Sequence, residues 1–169
     1  MNVLVDDIGK VVQSMQSEDC KPFYLYGHRL EISNRLLEME NDIVYKYKKY
    51  PLIALRMPFD EKRENGMITY SSINIAILDF TKENWNAEER YKNTFKPIIY
   101  PMYEAFKKAL KNSGLFMWTG DQTEPPHTKR DMLFYGEYLR EGNVKYIFND
   151  PLDAVEITNL TLKQKIKNC

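Results

Sequence analysis

Residues 67–80 read MITYSSINIAILDF, and the fold class turns on them. In an extended chain successive side chains point to opposite faces. Ile73, Ile75 and Ile77 therefore share one face, and Asn74, Ala76, Leu78 and Phe80 share the other. Apolar groups on both faces near the end of the stretch predict a central strand, covered on both sides there. Just upstream, residues 51–56 (PLIALR) form a short apolar strand behind a proline. The charged, turn-rich stretch 58–66 between these two strands reads as a hairpin loop.

Working outward, Asn86 opens the most legible helix. It can cap the first turn, and Glu89 stands where a capping box places its carboxylate. Within AEERYKNTFKPIIYPMYEAFKKALKNSG (87–114), Phe95, Ile98, Met102, Phe106 and Ala109 recur at helical spacing. Pro97 and Pro101 lie inside that pattern. Each removes a backbone donor and crowds the preceding turn, which predicts a kink or two abutting helices. Gly114 is a natural C-terminal cap. On the N-terminal side, Val5, Ile8, Val12 and Met15 predict an amphipathic helix over 3–18. Ile32, Leu36, Met39 and Ile43 predict a second helix, and the aromatic run 23–26, closed by Gly27, is a strand between them.

Residues 45–50 form a polar and aromatic link. Residues 115–118 are a short strand or the start of a loop, and 119–128 (TGDQTEPPHT) are a loop. Stretches 132–139 and 144–148 form a hairpin around Glu141-Gly142-Asn143. Asn149-Asp150-Pro151 is turn chemistry. Residues 154–162 make the last strand, whose inward side switches between Ile157 and Leu160 and so needs a bulge or twist. Residues 163–169 read as a frayed tail. With strands joined mainly by hairpins and no regular βαβ unit in this order, the expectation is an α+β domain spanning 1–169. Its antiparallel sheet, with mixed pairing allowed, has four to six strands and about three flanking helices.

The 24 basic residues balance the 24 acidic ones, and nucleic-acid binders usually carry a basic excess. The basic stretches 46–49 and 163–167 read as solvated faces, so no specific nucleic-acid partner is expected. The segment MNVLVDDIGKVV places acidic residues inside its first apolar stretch and is no signal peptide, and no apolar run is long enough to span a bilayer. Cys20 and Cys169 form neither a disulfide framework nor a zinc site, and reduced thiols in a cytoplasm are expected.

Chemistry is sparse. None of the seven glycines falls in a phosphate-binding pattern. His28 follows a turn glycine and reads as a capping or surface residue; His127 lies in a Pro-Pro loop, and neither has a second ligand at metal spacing. A dyad with Cys20 stays open by sequence alone. Carboxylates gather at Asp60/Glu61/Glu64, at Glu88/Glu89, where a helix N-terminus favours them, and at Asp150/Asp153. Nothing selects a catalytic pair among them, and no catalytic, cofactor or metal residue is assigned.

The aromatic placement carries more. Twelve tyrosines include Tyr24 and Tyr26, Tyr45, Tyr47 and Tyr50, Tyr91, Tyr100 and Tyr103, and Tyr135 and Tyr138. Tyrosine suits surfaces that become buried only when a partner docks, and equally suits an aromatic-rich core. Three regions are expected to make contacts: the aromatic surface of Tyr45, Tyr47 and Tyr50; the 58–66 loop with Arg63 and Glu64; and the 119–131 loop with Asp121, Glu124, Lys129 and Arg130.

The segments YLYGHRLEI (24–32), YPLIAL (50–55), NIAILDFT (74–81), ERYKNTFKPIIYPMY (89–103) and DPLDAVEITNL (150–160) together resemble small structural proteins coded in tailed-phage and prophage morphogenesis clusters of Bacteroides-like bacteria. These are similar to the tail terminator, or tail-completion, group at the head-to-tail junction. The resemblance implies an α+β virion subunit that forms a homo-oligomeric ring, commonly of six, capping the tail tube and meeting the neck or connector. It implies assembly in the host cytoplasm and no catalytic residues. The charged loop at 60–66 and the long loop at 119–131 depart from an easy match. Near-zero net charge suits self-association. The alternative is a non-catalytic binding module that docks on one host or phage protein.

Overall fold

The computed structural model describes residues 3–17, 21–117, 124–133, 137–140, 142–146, 148 and 150–166. Helix α1 spans Leu4–Ser14, strand β1 Phe23–Gly27 and helix α2 Arg29–Glu40. Strands β2 (Leu52–Arg56), β3 (Asp60–Glu64) and β4 (Met67–Phe80) follow. A helical rod then runs without a break through α3 (Ala87–Arg90), a π-helical segment (Tyr91–Ile99) and α4 (Tyr100–Asn112). The chain finishes with β5 (His127–Leu133), β6 (Glu137–Arg140), β7 (Asn143–Tyr146) and β8 (Leu152–Lys165). The fold is α+β, with a mixed six-stranded sheet ordered β1-β2-β4-β8-β5; β3 pairs with β4 beside β2, and β6 and β7 form a separate hairpin.

The central position of β4 follows from its sequence. Ile73, Ile75 and Ile77 are buried against α1, the π segment and α4, together with Ile53, Leu55, Val155 and Ile157. Ala76 and Leu78 are buried on the opposite face, under Ile32 and Leu36 of α2. The inward side of β8 switches as expected: Ile157 and Leu160 are both buried, and Asn159 between them takes a left-handed backbone with φ 54°. Ser72 of β4 does the same with φ 57°, so the two strands bulge side by side where Ile73 faces Leu160. A bulge of this kind lets the buried face advance by three residues instead of two.

Several expectations are corrected. The stretch 58–66 is not a loop: β3 pairs along its length with β4 across a two-residue Asn65-Gly66 turn, both residues at positive φ. That geometry matches the twist of a tight hairpin. Because all five residues of β3 are exposed, no apolar alternation marked the strand. A deletion of 60–65 therefore removes a paired strand rather than a spare loop. In the 119–131 stretch, residues 127–131 belong to β5, and 119–123 lie outside the described residues. The expected hairpin around 141–143 is present as β6 paired with β7, while Met132 and Leu133 belong to β5 and 134–136 lie outside the described residues. Residues 163–165 continue β8 rather than fraying, and buried Gln164 donates to the Asp7 carboxylate at 2.7 Å.

A βαβ unit is present after all, since β1 and β2 run parallel on either side of α2. The long 41–51 connection hid it. Ile43 is not on α2, which ends at Glu40. Pro97 lies in a π segment that abuts α4, which begins at Tyr100 with Pro101 in its first turn. The Tyr100 N–H donates to the Phe95 carbonyl, five residues back, and the wider turn relieves a proline ring that would crowd the carbonyl four residues before it. The buried stripe consequently shifts phase: Ile99, Tyr103 and Leu110 are buried, while Ile98 and Ala109 are only half-buried.

Candidate protein interface

The connection from α2 to β2 is a compact turn. The Asp42 carboxylate accepts hydrogen bonds from the N–H groups of Val44 (2.7 Å) and Tyr45 (3.2 Å), and its carbonyl accepts from Lys46 N–H at 2.9 Å. An aspartate that captures the amides after it initiates a turn locally. The turn leaves large apolar side chains in solvent: Ile43 is 90% exposed and Tyr47 84%.

Lys49 fixes this turn to the body of the protein. Its side chain is buried, and its ammonium bonds the Glu40 carboxylate at the end of α2 and the Asp150 carboxylate, at 2.9 Å, just before β8. The same ammonium lies 4.8 Å from the Phe148 ring centre and 5.4 Å from that of Tyr50. The Tyr50 hydroxyl donates to Asp150 at 3.2 Å. Lys46 adds a second contact to Glu40 at 3.2 Å. The hydrogen bond from Lys49 holds the Glu40 carboxyl below its ordinary range. Burial, reinforced by the Asp150 charge, pushes the Tyr50 phenol well above its ordinary range.

Phe80, the last residue of β4, stands beside this network with 44% of its surface exposed, its ring centre 6.5 Å from that of Tyr50. Tyr47, Tyr50 and Phe80 rim a cleft of about 390 Å³ whose polar wall is Glu40, Lys49 and Asp150. Aromatic edges around a fixed charge network form a surface suited to a protein partner.

The expected contact residues do not gather on one surface. Tyr47 and Tyr50 line the cleft, while Tyr45 lines a neighbouring depression with Phe23, Arg35 and Met39. Arg63 and Glu64 lie on β3, paired with Glu61 at 2.6 Å and Lys62 at 2.7 Å. Asp121 lies outside the described residues. Glu124 receives the Lys107 ammonium at 2.8 Å. Lys129 and Arg130 are consecutive in β5 and part to opposite faces: Lys129 sits 4.4 Å from the Phe95 ring centre, and Arg130 Nε is 3.0 Å from Glu156. The sequence reading missed Glu40, Lys49, Asp150 and Phe80 as one group. No local signal marked it: Phe80 was expected on a covered face and is 44% exposed, and Lys49 and Asp150 are 101 residues apart.

The histidines are accounted for locally. The His28 N–H donates to Glu31 at 2.7 Å at the start of α2, and His127 Nδ1 lies 3.1 Å from the Tyr103 hydroxyl. Cys20, the other half of the possible dyad, lies outside the described residues. Asp150 and Asp153 point apart, the first to Lys49 and the second, fully buried, toward Arg90 and the Met132 N–H. Among the described residues no three His, Cys, Asp or Glu side chains gather as a metal site, and no helix is long and apolar enough to cross a membrane. The chain matches no known protein-family model, and the comparison with curated proteins gave no match.

Proposed function

We propose that this chain is a structural assembly subunit that docks other protein subunits through the 43–50 turn and Phe80. One observation carries the reading: Ile43 and Tyr47 stand in solvent on a turn that Lys49 already pins between two carboxylates, and exposed Phe80, at the end of β4, lines the same cleft as Tyr47. Exposed apolar groups on a mobile loop would lose ordering entropy when bound. On a turn already held in place, that cost falls before the partner arrives. The resemblance to the tail-completion group supplies the setting: a ring at the head-to-tail junction, in which each subunit presents one surface to its neighbour and others to tube and connector.

The test is mass in solution by light scattering over a range of concentrations, for the wild type alone and mixed with tail-tube subunits, and for the double variant Tyr47→Ala/Phe80→Ala. The expected result is a discrete higher oligomer or a complex with the tube subunit, lost in the double variant without a change in melting temperature. A wild type that neither forms such an oligomer nor binds tube subunits counts against the assembly reading. If it instead recovers a single host protein through the same patch, the chain is a binding module.

A further inference from the structure

Among the described residues the sheet has three open edges, and they differ in chemistry. β3 reads DEKRE and β5 begins HTKRD, so both carry charges that discourage further strand pairing. β1 reads FYLYG and has no charge, proline or bulge. Among the described residues it pairs only with β2, in parallel, with Phe23 N–H donating to the Pro51 carbonyl and Met57 N–H to the Gly27 carbonyl. Backbone direction alternates along a strand, so Phe23, Leu25 and Gly27 bond toward β2 while the N–H and C=O groups of Tyr24 and Tyr26 point outward. Among the described residues, none of these four outward groups has a backbone partner.

The strand is held ready. The Tyr24 hydroxyl donates to the Val5 carbonyl at 2.9 Å, and a side chain at Gly9 would come within 3.2 Å of the Tyr24 ring, so α1 sits closely against one face of β1. On the other side, His28, Glu31 and Arg35 of the α2 region complete a groove of about 760 Å³ along the edge. Tyr26 lies along it, 57% exposed and 6.2 Å from Tyr24 between ring centres.

We propose that β1 pairs antiparallel with β1 of a second copy of this chain, about a two-fold axis through Leu25. The pattern is self-complementary. Tyr24 of one copy lies opposite Tyr26 of the other, each pair exchanges two backbone hydrogen bonds, and the two symmetric pairs satisfy all eight outward groups. Side chains opposite each other share a face, so the tyrosines of the two copies cover one another. The same axis runs the two α2 helices in opposite directions. It brings to the joint the Glu31 and Arg35 side chains that line each copy's groove, groups of opposite charge that within one copy hold the His28 N–H and Glu38. This edge lies apart from the 43–50 turn, so the inference does not depend on that surface being an interface. Together, the two would join edge-paired dimers to further subunits.

The test is the substitution Tyr26→Pro. Proline removes the outward N–H of residue 26 while leaving every β1–β2 bond in place, and edge strands tolerate it. By symmetry two of four intermolecular bonds are lost, which weakens the dimer roughly tenfold to a hundredfold. Analytical ultracentrifugation of the full chain should find a dimer as the first associated species of wild type, a dissociation constant for that dimer raised by that factor for Tyr26→Pro, and no effect of Tyr47→Ala/Phe80→Ala on the dimer itself. Hydrogen exchange on the wild type gives a second reading that needs no variant: the Tyr24 and Tyr26 amides should gain protection as concentration rises through the dissociation constant. A wild type that stays monomeric at the highest concentration overturns the proposal. So does a dimer untouched by Tyr26→Pro, or rapid, concentration-independent exchange at both amides. A dimer that Tyr47→Ala/Phe80→Ala abolishes and Tyr26→Pro spares belongs to the other surface.

Discussion

Replacing Lys49 with methionine isolates the charge that pins the 43–50 turn. Methionine keeps an apolar stem against Phe148 and Tyr50, so the packing largely survives while the contacts to Glu40 and Asp150 go. A hydrogen bond to a charged group contributes about 1.5–3 kcal/mol, so two fully buried ones would sum to about 3–6 kcal/mol. Two effects reduce that sum. The carboxylates of Glu40 and Asp150 keep 34% and 28% exposure, so water recovers part of their solvation, and an apolar group in place of a buried ammonium avoids its desolvation cost. A net loss of about 2 kcal/mol remains, or about 4–8 °C in melting temperature for a domain of this size. The assay is thermal unfolding of wild type and Lys49→Met at several pH values. Because Lys49 lowers the folded-state pKa of Glu40, their contact contributes stability above the ordinary glutamate range and loses it as pH falls through the folded value. The gap between the two proteins should be full at neutral pH and close in acid. A gap under about 1 °C at neutral pH, or one that does not narrow in acid, refutes the reasoning.

Three further outcomes follow from the same structure. Burial raises the Asp79 carboxyl from 3.8 to about 6, so its folded form favours the proton. Stability from that preference is full below pH 3.8 and is lost as pH rises through about 6, so Asp79→Asn should melt higher than wild type at pH 8, by up to about 3 kcal/mol, with the advantage shrinking toward pH 4. Ile77→Ala removes a fully buried side chain from the central strand and should cost about 2–5 kcal/mol in denaturant unfolding. Asn86→Ala removes the side chain that accepts the Glu89 N–H at 2.9 Å and should cost about 1 kcal/mol, with Asn86→Asp recovering most of it.

Much of the fold was legible where one residue type admits one reading. The alternation of Ile73, Ile75 and Ile77 placed β4 at the centre, the Asn86 and Glu89 pair marked the start of the rod, and the spacing of Ile157 and Leu160 marked the bulge in β8. What escaped was structure whose cause lies elsewhere in the chain. β3 has no apolar residue and is a strand only because β4 lies beside it. The parallel β1–β2 pair depends on a return through the 43–50 turn, which propensity does not encode. The tyrosines at 45, 47 and 50 were visible as a group, but their different exposures were not. A buried lysine that joins two carboxylates, one of them 101 residues away, is a tertiary event without a local signal.

The end of the sheet that carries Phe80 also concentrates the fold's least comfortable polar groups. Asp79 and Asp153 are register partners there, both buried, and burial pushes both carboxyls above the ordinary range. The hydroxyls of Thr81 and Thr94 lie near Asp153 without completing a hydrogen bond, and Arg90 Nε stands 3.8 Å from it. Of the five described buried side-chain atoms without a hydrogen-bond partner, four belong to this group: Thr81 Oγ1, Arg90 Nε, Thr94 Oγ1 and Asp153 Oδ2. A chain shaped by stability alone would fill such a position with apolar side chains, because unmatched buried polar groups cost more than they return. Rules of this kind are broken most often where a surface has another task. Here the buried polar joint adjoins Phe80 and lies a few residues from Asp150, both of which line the cleft beside the 43–50 turn. Asp79→Asn then separates the two demands. If it stabilises the protein at pH 8 but weakens docking at the Tyr47–Phe80 surface, the buried charge is held for assembly. If it stabilises without touching docking, the polar joint serves only to seat the helical rod on the sheet.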